Sequence, residues 1–300
     1  MKSSGTTLSL KGFVPNVQKT QLRTMLDDYF QHQADLSDLE CNLRCPNNCS
    51  APGCWMADVI VEVTLFDLIK LSQILNIPVS RLFSQHCRLG LMNCEFDLRY
   101  KKFLIKLKKP CFFLMEKRCR VHGSKPLSCV LFPEYQQIKG LIPELTRNPI
   151  FSGFPCLENP IVVSDKRNRA LKNLRRMSLM EQALSSYVLF GVPSFIVDSK
   201  PLKKRLKRDH PKGRAFSIQD YDRLLYEMLK SNGFFEKVMG KISALDQRTR
   251  MKNIFEKLND RITMRYLMKD LVRPKVVHRL ENEHIKRFKR NLHPPAIHFM

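Results

Sequence analysis

The sequence predicts an α+β protein in which an irregular cysteine-rich metal-binding module precedes a mostly helical basic domain. Three observations lead to this fold class. All ten cysteines lie between Cys41 and Cys156, short alternating apolar runs occur in the same region, and residues after about 165 show apolar positions at helical spacing. We therefore divide the chain into an N-terminal helical arm (1–39), a cysteine-cluster domain (40–160) and a basic helical domain (161–300).

The first part of the chain contains one helix pattern and several strand patterns. Apolar residues at helical spacing predict a helix over 17–33, and ADVIVEV predicts a strand over 57–63. Thr64, with Asp67 three residues later, is typical of a helix N-cap. Alternation predicts a strand from Phe103, and the stretch 111–121 has the pattern of a tight hairpin.

The second part is predicted to be mostly helical. Ser178 and Glu181 have the spacing of a capping box, which places a helix start there. Further helices are expected after Ser217 and over 234–259, 261–272 and 279–291. Two prolines and a glycine among eight Lys and Arg residues predict an exposed linker over 200–214.

The charge distribution points to a polyanionic partner. The chain carries 52 Lys and Arg against 28 Asp and Glu, a net charge of +24, and residues 161–300 hold 32 of the basic but only 14 of the acidic residues. Nucleic acid or an acidic surface would be contacted through 200–214 and 286–290. The alternative for both stretches is a solvated surface.

Several classes of protein are disfavoured by the sequence. No apolar run is long enough for a membrane span, and the first twenty residues lack the apolar core of a secretory signal, so a cytoplasmic protein is expected. Phosphate-loop, G-x-S-x-G and H-E-x-x-H motifs do not occur, and only 11 glycines are present. The sequence identifies no catalytic residue and leaves enzymatic activity open.

The cysteines fall into two groups that suit metal binding. A reducing compartment disfavours disulfides, and thiolates a few residues apart in a Pro- and Asn-rich loop can face one centre. Zinc and iron–sulfur clusters both take four such ligands, so eight thiolates would serve one binuclear centre or two separate sites. The predicted ligands are Cys41, Cys45, Cys49, Cys54, Cys111, Cys119, Cys129 and Cys156.

Three other residues are assigned differently. Cys87 and Cys94 have no close cysteine partners and are expected to be buried thiols in the core. His122 follows Cys119 by three residues and is either a ligand or an exposed hairpin histidine, with the second interpretation favoured.

The stretch from Cys41 to Cys156 resembles the YkgJ-type cysteine-cluster family, described as a zinc- or iron-chelating domain. The resemblance consists of a cysteine-rich opening followed by VTLFD (63–67), PCFFL (110–114), CRVHGSKPLSCVLFP (119–133) and FPC (154–156). It implies a zinc or iron ion, or an iron–sulfur cluster, bound by the eight cysteines. This chain departs from the family in its stretched C-x3-C-x3-C-x4-C opening and in Lys125 and Val130, where relatives carry arginine.

Two alternative functions follow from these observations. Flagellin lysine N-methylases carry a similar cysteine cluster, so the resemblance also implies a protein-modifying enzyme that uses S-adenosylmethionine, although no donor-binding loop is found in the sequence. The basic half instead favours a nucleic-acid-binding protein in which the metal only stabilises the fold.

Overall fold

The computed structural model describes residues 21–39, 50–94, 97–151, 154–158, 163–210, 215–230, 232–272, 274, 276–281 and 284–289. Within these residues the protein is a mixed α+β structure. The helices are α1 (Gln21–Asp38), α2 (Pro52–Trp55), α3 (Leu65–Leu75), α4 (Val79–His86), α5 (Leu127–Leu131), α6 (Glu134–Ile138), α7 (Ile142–Arg147), α8 (Pro155–Glu158), α9 (Asp165–Phe190), α10 (Lys200–Asp209), α11 (Ile218–Lys230), α12 (Phe234–Ser243), α13 (Arg248–Asn259) and α14 (Arg261–Val272).

The strands form one large sheet and one small hairpin. They are β1 (Glu62–Val63), β2 (Cys87–Asn93), β3 (Tyr100–Leu107), β4 (Leu114–Met115), β5 (Arg118–Cys119), β6 (Ile196–Asp198), β7 (Val276–Glu281) and β8 (His284–Lys289). In the large sheet β3 pairs with β2 along one side and with β1 and β6 on the other, and β7 and β8 continue beyond β6. Among the described strands, only the β6–β7 pair is parallel. The sheet joins strands from both sides of residue 160.

Several local predictions are confirmed. The Thr64 hydroxyl accepts from the Asp67 amide while the Asp67 carboxylate accepts from the Thr64 amide, each at 3.0 Å, so the capping box opens α3. The hairpin predicted over 111–121 is present as β4 and β5, with Glu116 and Lys117 in the left-handed conformation at its tip. The predicted N-terminal helix is α1, which ends at Asp38; residues 17–20 lie outside the described part.

Three predictions about local structure, one before residue 160 and two after it, are wrong. The strand predicted over 57–63 is reduced to Glu62–Val63. Ser178 does not begin a helix, because α9 is already capped by Ser164 and Ser178 is buried in its middle. The predicted linker 200–214 contains helix α10, since Pro201 is tolerated in a first helical turn and Leu202 and Leu206 anchor one face in the core. Residues 211–214 lie outside the described part.

The helix predicted over 279–291 is also wrong. Residues Val276–Glu281 and His284–Lys289 form an antiparallel hairpin instead, and β7 supplies the hydrogen-bonding partner for the outer side of β6. An unpaired β6 would leave buried backbone groups without partners, so tertiary pairing decides this segment.

One hydrophobic core spans both halves of the chain. It runs from α1 and α3 through β3 to α9 and the helices α11 to α14, and it includes Phe66, Phe103, Leu184, Leu225 and Phe255. A T-shaped contact between Phe66 and Phe255, with ring centroids 5.0 Å apart, connects α3 with α13. Among the described helices, none combines the length and apolar character needed to cross a membrane.

His278 is buried where β7 meets β6. Its ring stacks on Phe195 at a centroid distance of 3.9 Å, and Nδ1 lies 3.1 Å from the Ile196 carbonyl oxygen. Nε2 is buried with no hydrogen-bond partner among the described residues. Burial and, to a smaller extent, the charge of Arg287 lower the pKa of His278 to about 4, against the effect of the hydrogen bond to Ile196.

We expect His278 to make the protein less stable in mild acid. Because the folded pKa lies below the ordinary value of about 6.5, stability is complete above that pH and is lost as pH falls from 6.5 to 4, by about 3 kcal/mol. Urea unfolding of the wild type and of His278→Gln between pH 4 and 7.5 measures this, and the variant should show a shallower pH dependence. Parallel curves for the two proteins would contradict the assignment.

Candidate metal centre

Five of the eight predicted ligands belong to the described part of the chain. Cys54, Cys111, Cys119, Cys129 and Cys156 are all partly buried, and no disulfide joins any of the cysteines that the structure describes. The remaining three, Cys41, Cys45 and Cys49, lie outside the described residues.

Cys54 and Cys111 are brought together by the backbone. The Cys111 amide donates to the Cys54 carbonyl at 2.7 Å, and the Lys109 ammonium donates to the Gly53 carbonyl. The Cys54 thiol donates to the Cys111 sulfur, which lowers the pKa of Cys111 to about 6 and raises that of Cys54. Amides of Phe113 and Leu114 and the charge of Lys109 also favour the Cys111 thiolate. Cys111 is therefore largely ionised at neutral pH.

Cys129 and Cys119 lie near this pair. Cys129 is in α5, and its burial raises its pKa to about 12 against the charges of Lys125 and Lys109, with a smaller upward contribution from negative charge on Cys111 and Cys119. Cys129 in turn influences the pKa of Cys54. Cys119 is in β5, where it pairs with Leu114 three residues beyond Cys111.

Cys156 is carried by a segment that touches both neighbouring parts of the site. Two residues before it, the Phe154 ring packs 3.5 Å from where a side chain on Gly53 would begin, beside Cys54. Phe154 also contacts Phe132, just after α5, with ring centroids 5.9 Å apart. These contacts place the Cys156 segment next to the segments that carry Cys54 and Cys129.

The described cysteines do not complete a site by themselves. Within the described ranges, no group of three or more Cys, His, Asp or Glu side chains is arranged closely enough to hold a metal ion. Cys87 and Cys94 are buried, as expected, and burial raises the pKa of Cys87 to about 12. His122 is exposed in a short turn, in line with the favoured interpretation of this residue.

The sequence did not reveal a buried polar cluster that positions the elements next to the candidate metal centre. Glu181 in the middle of α9 accepts hydrogen bonds from the Tyr29 hydroxyl at 2.6 Å, from the Thr64 hydroxyl at 2.8 Å and from the Gln33 amide. Burial, together with the charge of Asp67, raises the pKa of Glu181 to about 8. The cluster ties α1, α3 and α9 together.

The same cluster holds the backbone that leads to Cys129. Asp67 accepts from the Leu127 amide at 3.1 Å, and Lys70 donates to the Lys125 carbonyl at 3.2 Å. The Ser128 hydroxyl donates to the Glu62 carbonyl at 2.7 Å. These three contacts position α5, and with it Cys129, against β1 and α3.

A buried ion pair connects the end of α1 with α6. Arg167 and Glu134 are both about 2% exposed and form a bidentate contact, and Arg167 Nη1 also donates to the carbonyls of Leu36 and Ser37, at 3.2 Å and 2.7 Å. The pair holds the end of α1, from which the chain continues to Cys41, close to the segment that follows Cys129.

Comparisons of the chain with protein-family models, with curated proteins and with solved structures find no match. The site is therefore interpreted from its own residues.

We expect Glu134→Ala to destabilise the protein by about 3–5 kcal/mol, because it leaves the Arg167 charge buried without a counter-ion. Thermal or urea unfolding at pH 7 measures the change. The matched control is Glu256→Ala, which removes the exposed pair with Lys252 (3.6 Å) and should change stability by less than about 1 kcal/mol. Equal effects of the two substitutions would show that the buried pair contributes no more to the free energy of unfolding than the exposed pair does.

Proposed function

We propose that this protein binds zinc or iron, as single ions or as an iron–sulfur cluster, through the thiolates of Cys54, Cys111, Cys119, Cys129 and Cys156 together with Cys41, Cys45 and Cys49. The observation that carries the proposal is the contact between Cys54 and Cys111 from two separate segments of the chain, with Cys129 of a third segment close enough to influence the pKa of Cys54. Partly buried thiols that meet in this way, one of them ionised at neutral pH, are the donors that zinc and iron prefer.

The cysteine-rich segment 40–160 acts in this proposal as a metal-binding module whose first ligand group comes from residues 41–54. Eight thiolates fill every position of two tetrahedral ions, which suits a structural or electron-transfer role. Hydrolysis assisted by the metal would need a vacant coordination position.

We expect Cys111→Ser and Cys129→Ser each to reduce metal content to less than about half of the wild-type value, because removal of one thiolate opens the site. Elemental analysis of protein purified without oxygen measures this, and circular dichroism checks folding. Cys94→Ala is the control, since Cys94 is buried in a separate cluster with Tyr100, Ile196 and Val277. Unchanged metal content in both serine variants would remove the two residues from the site.

The same preparation distinguishes the metals. Colourless protein with about two zinc ions per chain indicates closed structural sites. Brown protein with iron and acid-labile sulfide indicates a cluster that carries electrons. Protein with neither metal and with titratable thiols would refute the proposal.

A second candidate function, binding of a polyanion, is favoured by α10. Leu202 and Leu206 are buried on one side of this helix, which packs against α11 and β7. Its other side exposes Lys203, Lys204, Lys207 and Arg208. The exposed Lys286 and Arg287 of β8 lie on the far side of β7, so both basic stretches adjoin the same strand. Exposed cations carried by two elements that adjoin the same strand suit phosphate groups or an acidic surface.

We expect the triple variant Lys203→Ala, Lys204→Ala, Lys207→Ala to weaken binding to a DNA duplex of about 20 base pairs. The slope of log Kd against log salt should fall by about one for each phosphate that the variant no longer neutralises. Fluorescence anisotropy at several salt concentrations measures the slope. The control replaces the exposed Lys237, Arg248 and Arg250 with alanine, and an equal reduction of the slope there would indicate attraction by net charge alone.

A further inference from the structure

Two aromatic side chains and a methionine are exposed directly beside the cysteines. Trp55 is 50% exposed, and Phe112 and Met115 are each 49% exposed. Trp55 follows Cys54 and Phe112 follows Cys111, and the hydrogen bond from the Cys111 amide to the Cys54 carbonyl brings the two ring-bearing stretches of backbone next to each other. We call Trp55 and Phe112 the aromatic patch. It lies outside α10 and β8 and uses none of the thiols.

The rings of the aromatic patch have faces on which a flat ring of a ligand could stack. His86 lies on one face of Phe112, with centroids 3.8 Å apart and planes inclined by 15°. Because His86 covers that face, the exposed half of Phe112 is its opposite face and edge, where another flat ring would continue the stack. The Trp55 indole N–H donates to the Ser50 carbonyl at 3.1 Å, so the indole offers a partner its π surface.

The surroundings of Phe112 are positively charged, whereas Trp55 has the exposed Asp58 three residues after it. The hairpin beyond Phe112 exposes Lys117, Arg118 and Arg120 against one carboxylate, Glu116, and Lys108 is exposed on the other side. The whole chain carries +24. Flat apolar rings bordered by cations match the alternation of bases and phosphates along a single strand.

We infer that the aromatic patch binds single-stranded nucleic acid, with bases stacked on Trp55 and Phe112 and phosphates next to Lys117 and Arg118. A duplex keeps its bases paired and stacked, so its bases cannot reach these rings. An acidic protein segment would be drawn by the same charges. Such a segment is less suited to this surface, because the two rings have only Met115 beside them as exposed aliphatic surface. The inference does not depend on bound metal.

The test measures binding of a labelled oligothymidylate of about 15 nucleotides, and of a duplex of equal length, at about 0.1 M salt. Trp55→Ala and Phe112→Ala should each weaken single-strand binding by about 5- to 150-fold, the equivalent of 1–3 kcal/mol per stacked base. Duplex binding should change less than about twofold. Trp55 is the only tryptophan of the chain, so quenching of its emission by the unlabelled strand reports stacking in the wild-type protein.

Matched variants separate stacking from other effects. Phe112→Leu keeps apolar bulk but no aromatic ring, and it should weaken binding about as much as Phe112→Ala. Tyr266→Ala removes an exposed ring on α14, 68% exposed, and should leave binding unchanged. Metal content and the unfolding midpoint of each variant show whether the neighbouring cysteines are disturbed.

The inference is overturned by any of four results. These are no oligothymidylate binding at this salt concentration, unchanged affinity in both alanine variants, equal reductions of affinity for single strand and duplex, and no change in Trp55 emission at saturation. Binding of an acidic amphipathic peptide at the same rings, without binding of the oligonucleotide, would instead identify the patch as a protein-docking surface. Loss of metal with intact single-strand binding would separate the two functions.

Discussion

The arrangement of this protein depends on the hydrogen bonds that Thr64, Asp67 and Glu181 make inside the core. Thr64 caps α3 through its hydroxyl oxygen and donates the hydroxyl proton to Glu181 of α9, while Asp67 closes the cap and accepts from the Leu127 amide. Buried carboxylates are unfavourable without such partners. Any sliding of α3 along α9 would leave them unsatisfied, so the cluster allows only one register between these elements.

This constraint extends to the cysteines. The elements held by the cluster and by the Arg167–Glu134 pair are α1, α3, α5, α6 and α9, and the candidate ligands lie on the segments between or beside them. The described residues of the candidate centre lie on or beside short elements, such as α2, β5 and α5, that are far apart in sequence. Their approach is therefore imposed by the helices behind them. A metal bound there would connect segments whose positions the polar cluster already restricts, and Trp55 and Phe112 are exposed on two of these segments.

The local elements were predictable where a short pattern contains its own partners. The capping box at Thr64 and the hairpin around Lys117 involve residues a few positions apart, so propensity and spacing were enough to predict them. Prediction failed where a distant partner decides the structure. The prolines, glycine and charge of 200–214 indicated a linker, yet Leu202 and Leu206 are buried in a core built by residues far along the chain. The hairpin after Val276 exists because β6 needs a neighbour.

By itself, the sequence determined the α+β class, the concentration of cysteines before residue 160 and the concentration of positive charge after it, since these depend only on composition and local spacing. The tertiary structure decided which thiols meet, which rings stay exposed and how the two regions share one sheet. The polar cluster around Glu181 could not be predicted from the sequence. A glutamate on a helix has the same local pattern whether it faces water or Tyr29 and Thr64. Burial and pKa are properties of contacts between distant residues, and only the folded chain has those contacts.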